Sequence, residues 1–512
     1  MRNTKGGLWV GLAVLLACTQ VAWAAPDQEK PAAAKAAKVV RYVRFDVEGD
    51  LAENRPPVYI LPTGRETLYE LVDRIDKAGH DPNVQGVIVC VGSFDASWAK
   101  AQEVRQALLR CKKAGKDVTC LLEDAGNIEY YLACVGNHVD MAPAGDLMLV
   151  GLRLEAVYAK DLLDKIGVKG DFVEVGKYKG GAEPLTRSEP TVAFRESLDS
   201  LVQNYFDQLV LGIMEGRQMP LSKVNVLIRH GPYSAPGAKE AGLVDDVLYY
   251  DELVSQLKDR YGEGFRVETD YAVSKSARGS MADPSALLRM MMGMGGGTPR
   301  PAASQRPVIA VVHATGPIVR EESDTELFGE EMASAEGLVA VLQKTAQDAR
   351  VRAIVLRVDS PGGGALASDL IWRAVRQADA RKPVIASFSD TAASGGYYIA
   401  SGARKIYADP GTLTGSIGIF GGKLVFADLL KKVGVNVVVI EKGGHTGMLS
   451  PFQEYSSEER DKLKDLLQDG YQLFLTRVAA TRPGMTKEDV DKVAQGRVWT
   501  PPINIFFIQS LS

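Results

Sequence analysis

The sequence contains a tandem repeat of itself. Residues 127–184 align without a gap with residues 394–451, at a constant offset of 267 residues (394 − 127 = 267). The pairs that agree in this register include Tyr130 with Tyr397, Pro143 with Pro410, Gly151 with Gly418, Glu174 with Glu441, Gly49 with Gly316 and Asp81 with Asp348. A chain of 512 residues is also too long for one hydrophobic core. We therefore predict two homologous domains, repeat 1 over residues 39–270 and repeat 2 over residues 306–500.

Within each repeat, apolar strands alternate with helical patterns. In repeat 1 the strand pattern Val84–Val91 is followed by a helical pattern over Ala99–Ala114 and a second strand pattern over Val118–Leu122. In repeat 2 a strand pattern covers Ala353–Val358, and a helix is predicted after Gly364. Strands that are apolar along most of their length are typical of parallel sheets covered on both faces. The prediction is an α/β fold with mostly parallel sheets and flanking helices.

The first 24 residues have the pattern of a secretory signal peptide. Two basic residues precede an apolar run over residues 8–18 and the small-residue sequence Ala22-Trp23-Ala24. This run is shorter than the ~20 residues that span a bilayer. We predict export, with cleavage after Ala24. A lipid on Cys18 and an uncleaved anchor are the alternatives.

Three other segments differ from the repeats in composition. Residues 25–38 are rich in Ala, Lys and Pro, and residues 271–305 are rich in Met, Gly and Pro, so both are predicted linkers. Residues 501–512 do not match the sequence Gly242–Asp245 that closes repeat 1. We interpret them as an aberrant or truncated tail, with a natural variant tail as the alternative.

Composition argues against several classes of function. A net charge of −4 and a pI of about 5.9 do not give the basic surface that binds nucleic acid. The five histidines are scattered and form no paired Cys/His motif of a metal site, so we expect no metal and no cofactor. The four cysteines that follow the signal are expected to be small buried residues rather than disulfide partners. They are Cys90, Cys111, Cys120 and Cys134.

The two repeats differ at positions that bear chemistry. Ser394 in repeat 2 aligns with Asn127 in repeat 1, whereas Lys179 in repeat 1 aligns with Thr446 in repeat 2. Ser394 lies between a predicted strand and a predicted helix, among small residues. A serine at such a turn can expose its hydroxyl and leave room for a substrate carbonyl. Ser394 is therefore a candidate nucleophile.

A glycine-rich loop strengthens this interpretation. The sequence Asp359-Ser360-Pro361-Gly362-Gly363-Gly364 directly follows a predicted strand, and successive glycines can offer backbone N–H groups to a developing oxyanion. In repeat 1, Asp95 and Ala96 occupy the positions of Gly362 and Gly363. The repeat that lacks the serine therefore also lacks the glycine loop.

The sequence leaves two kinds of general base open. No histidine lies near Ser394 in sequence, although a triad partner can be distant. The other candidate is Lys179, because Ser–Lys pairs also act as nucleophile and base. Its pKa would have to fall from ~10.4 to about 7–8, a change that burial can produce.

As a set, these motifs resemble the signal peptide peptidase A family in its long form, over about residues 39–500. The matching sequences are Asp359–Gly363, Ala392–Tyr398, Leu413–Gly418 and Tyr178–Pro184. The resemblance implies two tandem ClpP/crotonase-like domains and a serine endopeptidase with a Ser/Lys dyad. It implies Ser394 as nucleophile, Lys179 as general base, the N–H groups of Gly363 and Gly395 as oxyanion donors, and Ser416 as the residue that orients the lysine.

The same resemblance implies a setting and partners. The family is membrane-associated and forms a bowl-shaped oligomer, so we expect an exported, periplasmic homo-oligomer, a tetramer by resemblance, at a membrane surface. Its expected substrates are cleaved signal peptides or other apolar peptides. This chain departs from the family pattern in its signal-like N-terminus and after Thr500. Two alternatives are a crotonase-like acyl-CoA enzyme and a degenerate scaffold that binds apolar peptides without cutting them.

Overall fold

The computed structural model describes residues 39–53, 66–94, 97–273, 306–321 and 332–501. The predicted signal peptide (1–24), the linker 25–38, most of the linker 271–305 and residues 502–512 of the predicted tail lie outside the described residues. Among the helices in the described ranges, none is both long and apolar enough to cross a membrane.

Repeat 1 is built on a six-stranded sheet in which every neighbouring pair is parallel. Its strand order is β8-β4-β3-β2-β1-β9. The strands of repeat 1 are β1 (Val40–Gly49), β2 (Val84–Phe94), β3 (Asp117–Leu122), β4 (His138–Met141), β5 (Asp146–Leu147), β6 (Lys169–Val175), β7 (Tyr233–Ser234), β8 (Asp246–Val247) and β9 (Phe265–Glu268). Val87, Ile88 and Val89 are all fully buried, because consecutive residues of a strand point to opposite faces and both faces are covered.

Helices cover the sheet of repeat 1. They are α1 (Leu68–His80), α2 (Trp98–Lys113), α3 (Asn127–Ala133), α4 (Lys160–Ile166), α5 (Glu183–Thr186), α6 (Val192–Arg217), α7 (Leu221–His230), α8 (Ala235–Glu240) and α9 (Tyr250–Tyr261). Helix α1 shows why the ends fall where they do. Its N-cap Thr67 and Glu70 form a capping box, and Leu71 and Ile75 place its apolar face in the core.

Repeat 2 has a second sheet of the same kind. Its strand order is β10-β13-β14-β16-β18, with β15 beside β14, and only the β16–β18 pair is antiparallel among these described strands. The strands are β10 (Val308–Thr315), β11 (Ile318–Val319), β12 (Ala333–Ser334), β13 (Val351–Ser360), β14 (Val384–Ala393), β15 (Lys405–Tyr407), β16 (Leu413–Gly415), β17 (Ile419–Val425) and β18 (Val498–Trp499). The helices are α10 (Ala335–Gln347), α11 (Ala365–Asp379), α12 (Gly395–Ser401), α13 (Ala427–Lys432), α14 (Ser457–Ala479) and α15 (Lys487–Val493).

The sequence offset is also the structural offset. Helix α10 begins 267 residues after α1 (335 − 68 = 267), and α11, α13, β13 and β14 begin 267 residues after α2, α4, β2 and β3. The predicted α/β class, with mostly parallel sheets and flanking helices, is confirmed. The four predicted buried cysteines are free thiols; Cys111, Cys120 and Cys134 are buried, whereas Cys90 is only partly buried.

The contacts that join the repeats include a strand pair and an ion cluster. Strand β6 of repeat 1 pairs antiparallel with β17 of repeat 2, from Val175 opposite Ile419 to Lys169 opposite Val425. Arg357 of repeat 2 binds Glu53 of repeat 1 through two hydrogen bonds of 2.8 Å, and its guanidinium also contacts the carboxylate of Glu103. These contacts hold residues from the two repeats at one shared interface.

A cavity lies between repeat 2 and helix α6 of repeat 1. It has a volume of about 340 Å³ and is lined by Tyr397, Ile417, Val478, Val490, Trp499 and neighbouring residues. In repeat 1 the hydroxyl of Tyr130, the counterpart of Tyr397, donates to the carbonyl oxygen of the fully buried Leu243. In repeat 1 the segment after α8 thus contacts the counterpart of the tyrosine that lines the cavity.

Candidate active site

Ser394 forms the turn between β14 and α12. Its backbone has φ 50° and ψ −115°, a conformation that residues other than glycine rarely adopt. The turn is held because the N–H of Ser394 donates to the carbonyl oxygen of Gly415, at 2.9 Å, and its carbonyl oxygen accepts from the N–H of Tyr398. Gly362 packs so closely that a Cβ there would lie 2.9 Å from the Cβ of Ser394. A strained serine between a strand and a helix is the geometry of an exposed nucleophile.

Lys179 reaches the same place from repeat 1. It follows β6, is only 6% exposed, and its Nζ lies 3.2 Å from the Oγ of Ser394. The same Nζ donates to the carbonyl oxygen of Ser416 at 3.0 Å and to its Oγ at 2.9 Å. Lys179 of repeat 1 and Ser394 of repeat 2 thus lie within hydrogen-bond distance of each other in one chain.

Burial changes the chemistry of the Lys179 amine. Removal from water lowers the pKa of Lys179 to about 8, while the Glu174 carboxylate acts in the opposite direction. With such a pKa, roughly a tenth of the amine is neutral at pH 7, and only the neutral amine can accept a proton. The site thus holds a lysine that can work as a base near neutral pH.

Ser416 owes its position to the segment that precedes β18. Its backbone also has a positive φ of 51°, and its N–H donates to the carbonyl oxygen of Arg497 at 2.7 Å. Gly496 lies beside Lys179, so closely that a Cβ there would lie 2.5 Å from the Cβ of Lys179. Gly496 was not predicted from the sequence to be part of the site. The available signal was a glycine two residues before β18.

The loop after β13 and the start of α12 bring two backbone N–H groups close to Ser394. The N–H of Gly362 donates to Ser360 Oγ, and that of Gly364 donates to the carbonyl oxygen of Ile318. Within the described residues, the N–H groups of Gly363 and Gly395 donate no hydrogen bond. A Cβ on Gly395 would lie 3.0 Å from the nitrogen of Gly363, so the two amides are close neighbours. Two such donors beside a serine can stabilise an oxyanion.

The counterparts of Ser394 and Lys179, each in the opposite repeat, lack this chemistry. Asn127 stands at the start of α3, where its side-chain amide donates to the carbonyl oxygen of Gly151 at 3.0 Å. Thr446 donates to the carboxylate of Glu441. The described structure therefore contains two equivalent pairs of positions, Ser394 with Lys179 and Asn127 with Thr446. Of these two pairs, only Ser394 with Lys179 combines a hydroxyl with a basic amine.

Comparison with known proteins gives matches in both repeats. The model of peptidase family S49 matches residues 110–262 and 376–502, so that one segment contains Lys179 and the other contains Ser394. The chain is 33% identical over 435 residues to the chloroplastic serine protease SPPA of Arabidopsis thaliana, covering 85% of this chain and 62% of that protein. It is 30% identical over 447 residues to Protease 4 of Haemophilus influenzae, covering 85% of this chain and 68% of that protein.

A shorter match adds a third relative. A putative signal peptide peptidase SppA of Enterococcus faecium is 34% identical over 185 residues, which cover 36% of this chain and 53% of that protein. The chain thus spans about six tenths of the length of the Arabidopsis relative. Because the family model matches more than half of the chain, the chain belongs to peptidase family S49, a family of serine-type peptidases.

Proposed function

We propose that this chain is an exported, membrane-associated endopeptidase that digests cleaved signal peptides with a Ser394–Lys179 dyad. The observation that carries the proposal is the 3.2 Å contact between Lys179 Nζ and Ser394 Oγ, made by a buried amine whose pKa is lowered to about 8. The same observation and the membership of family S49 disfavour an acyl-CoA enzyme, which has no need for a basic amine beside a serine.

The proposed reaction proceeds through an acyl-enzyme. Ser394 Oγ attacks the carbonyl carbon of a peptide bond, and its proton passes to the neutral amine of Lys179. As the C–N bond breaks, the Lys179 ammonium gives this proton to the leaving amine. Water then attacks the ester on Ser394 while Lys179 takes a proton from it, and return of the proton to Ser394 releases the acid.

The number of hydrogens on Lys179 fits this cycle. A neutral amine has two N–H bonds and one lone pair, and Ser416 offers two acceptors to Nζ, its carbonyl oxygen and its Oγ. When these take the two N–H bonds, the lone pair is left for the hydroxyl of Ser394. The role proposed for Ser416 is therefore to aim the amine at the nucleophile.

The tetrahedral intermediate needs donors for its oxyanion. The N–H groups of Gly363 and Gly395 are proposed for this role, because their neighbours in the loop are already engaged with the protein. One such donor is typically worth about 3–4 kcal/mol in the transition state. No metal or cofactor takes part in the proposed steps.

The proposed substrates are signal peptides or other apolar peptides. The Enterococcus relative is a putative signal peptide peptidase, and the predicted signal sequence of this chain would direct it across the membrane that holds such peptides. Cleaved signal peptides remain in the membrane, so the proposal places the enzyme at its surface, in the periplasm. A homo-oligomer is part of the proposal.

Digestion of a synthetic signal peptide tests the proposal. The purified chain is incubated with the signal peptide and, separately, with a polar peptide of equal length, and the fragments are identified by mass spectrometry. We expect internal cleavage of the signal peptide and its loss in both Ser394→Ala and Lys179→Ala. Binding of the peptide without cleavage by the parent protein would contradict the proposal and favour a scaffold.

A further inference from the structure

Two buried glutamines of repeat 1 reach the loop that precedes β16. Gln102 on α2 and Gln208 on α6 are each 3% exposed. The Oε1 of Gln102 accepts the N–H of Gly411 at 2.6 Å, and the Nε2 of Gln208 donates to the carbonyl oxygen of Pro410 at 2.8 Å. Between them, the Nε2 of Gln102 donates to the Oε1 of Gln208 at 2.5 Å. The two side chains thus form a continuous hydrogen-bonded link from the helices of repeat 1 to the backbone of repeat 2.

The chemistry of the amides fixes the direction of this link. A backbone N–H can only donate and a carbonyl oxygen can only accept, so Gln102 presents its oxygen to the loop and Gln208 its nitrogen. The nitrogen of Gln102 then faces the oxygen of Gln208, which places a donor against an acceptor. An apolar residue in place of either glutamine would leave a buried backbone group without its partner. We expect the loop to shift in response.

A glycine fits the same loop closely to repeat 1. A Cβ on Gly411 would lie 2.7 Å from the Cβ of Trp98, the first residue of α2. The hydroxyl of Tyr205 on α6 donates to the carbonyl oxygen of Gly411 at 3.1 Å, so repeat 1 binds both backbone groups of this glycine. The counterpart of Gly411 in repeat 1 is Ala144. The glycine that permits the close approach is thus found in the repeat that carries the serine.

Strand β16 connects this loop to the active site. It begins two residues after Gly411 and pairs with β14, the strand that leads to Ser394. Its last residue, Gly415, accepts the N–H of Ser394 through its carbonyl oxygen. The next residue is Ser416, which accepts two hydrogen bonds from the Lys179 amine. A displacement of the loop therefore has a short path to the dyad.

We propose that the two glutamines are positioning residues: by holding the loop before β16 against repeat 1, they place Ser416, beyond the other end of that strand, against the Lys179 amine. This inference rests on the proposed function, because it concerns the same dyad. Repeat 1 would thus contribute to the site twice. It supplies the base, and it supports the residue that aims the base.

The site leaves little room for displacement. Lys179 Nζ lies 2.9 Å from Ser416 Oγ and 3.0 Å from the Ser416 carbonyl oxygen. A movement of Ser416 by about 0.5 Å away from the amine would take both contacts out of the usual range for hydrogen bonds. Since a misplacement of about 1 Å can lower activity about 100-fold, we expect this smaller movement to cost about tenfold.

The rate at which a fluorophosphonate labels Ser394 at pH 8 tests the inference. In Gln102→Met the side chain keeps its length but loses its amide. We expect this variant, with folding checked by circular dichroism, to be labelled about tenfold more slowly than the parent. The matched control is Gln203→Met, because Gln203 lies on the same helix as Gln208 but is exposed. The control should be labelled at the parent's rate.

Tyr205→Phe makes a smaller change and keeps the inference testable if Gln102→Met does not fold. It removes the hydroxyl that binds Gly411 and keeps the ring, which stacks on Trp98 with a centroid distance of 5.8 Å. Because one hydrogen bond to the loop is lost, we expect the labelling rate to fall about threefold.

A double variant separates positioning from a general loss of structure. If the glutamines act through Ser416, Gln102→Met should slow labelling less when Ser416→Ala is already present. With a loss of about tenfold for each single variant, we expect the double variant to lose no more than about 30-fold, rather than the product of about 100-fold. A purely structural role would not make the two substitutions interact.

The outcomes distinguish this inference from the proposed function. Parental labelling rates in both Gln102→Met and Tyr205→Phe, or a loss of about 100-fold in the double variant, would overturn the inference and leave the dyad intact. A parent protein that is not labelled at Ser394 would overturn the proposed function, and this inference with it.

Discussion

The amine of Lys179 lies 3.2 Å from the hydroxyl oxygen of Ser394, although 215 residues separate them in the chain. The lysine belongs to repeat 1 and the serine to repeat 2, and the β6–β17 pair lies at the interface from which both reach the site. Repeat 1 has Asn127 at the position of the serine, and repeat 2 has Thr446 at the position of the lysine, so neither repeat contains both groups. Activity is therefore expected to depend on the interface between the repeats.

Gly496 is predicted to be required because it touches Lys179. In Gly496→Ala the new methyl group would collide with the backbone and Cβ of Lys179, and a misplacement of about 1 Å can lower activity about 100-fold. We expect a loss of that size in peptide cleavage. The matched control is Gly484→Ala, because Gly484 has a similar φ of 82° but no atom within 4 Å of its Cβ position. It should lose about 1 kcal/mol of stability through backbone strain and keep its activity. Equal activity of the two variants would contradict the role given to Gly496.

Lys179 is predicted to reduce the stability of the fold. Its pKa is lowered to about 8 by burial, so the folded state binds this proton less well than the unfolded chain does. A pKa shift of this size corresponds to a destabilisation of the folded state by about 3 kcal/mol. This destabilisation is fully present below pH 8 and is lost as the pH rises toward 10.5. Allowing for lost hydrogen bonds, we expect Lys179→Met to be more stable than the parent by about 1–2 kcal/mol at pH 7 in urea unfolding. The gap should shrink at pH 10. The prediction is wrong if Lys179→Met is less stable than the parent at pH 7, or if the difference in their free energies of unfolding does not change with pH.

Ser416 is predicted to act through Lys179. Ser416→Ala removes the acceptor at 2.9 Å and leaves the carbonyl oxygen at 3.0 Å. We expect kcat to fall about tenfold with little change in KM, because one hydrogen bond that holds the amine is lost. In the Lys179→Ala background the same substitution should have no further effect. Additive losses in the double variant would show that Ser416 works independently of the lysine.

The ion cluster of Arg357, Glu53 and Glu103 joins the two repeats. We predict that removing the charge of Glu53 lowers the stability of the fold. Glu53 is buried and forms two 2.8 Å hydrogen bonds with Arg357. Glu53→Gln leaves a buried guanidinium with less compensation, which typically costs about 3 kcal/mol or more. The control is Glu454→Gln, which breaks the exposed pair of Lys169 and Glu454, also between the repeats. It should leave the unfolding midpoint unchanged. Similar midpoints for the two variants would contradict this prediction.

Much of the fold could be predicted because its signals are local. The strand predicted over Val84–Val91 is found at Val84–Phe94, and the helix predicted over Ala99–Ala114 is found at Trp98–Lys113. Apolar runs and alternating elements are read from neighbouring residues, so they need no knowledge of the tertiary structure. Comparison of the repeats also singled out Ser394 and Lys179, because each has a different residue type at its counterpart.

Other parts of the site depend on contacts between distant segments. The approach of Gly496 to Lys179, the bonds of Arg357 to Glu53 and the β6–β17 pair join residues far apart in sequence. No local pattern specifies such partners. Ser416 was identified by resemblance, and the structure adds that two of its oxygens accept from the lysine amine.

The pH dependence of fluorophosphonate labelling at Ser394 tests the dyad most directly, because labelling needs the nucleophile and its base but no peptide substrate. The second-order rate is measured from pH 6 to pH 10 for the parent protein and for Lys179→Ala, with the modified residue identified by mass spectrometry. The account predicts a rate that rises with a midpoint near pH 8, where Lys179 loses its proton. It also predicts a fall of about 100-fold or more, without that midpoint, in Lys179→Ala. An unchanged rate and pH profile in Lys179→Ala would contradict the central claim.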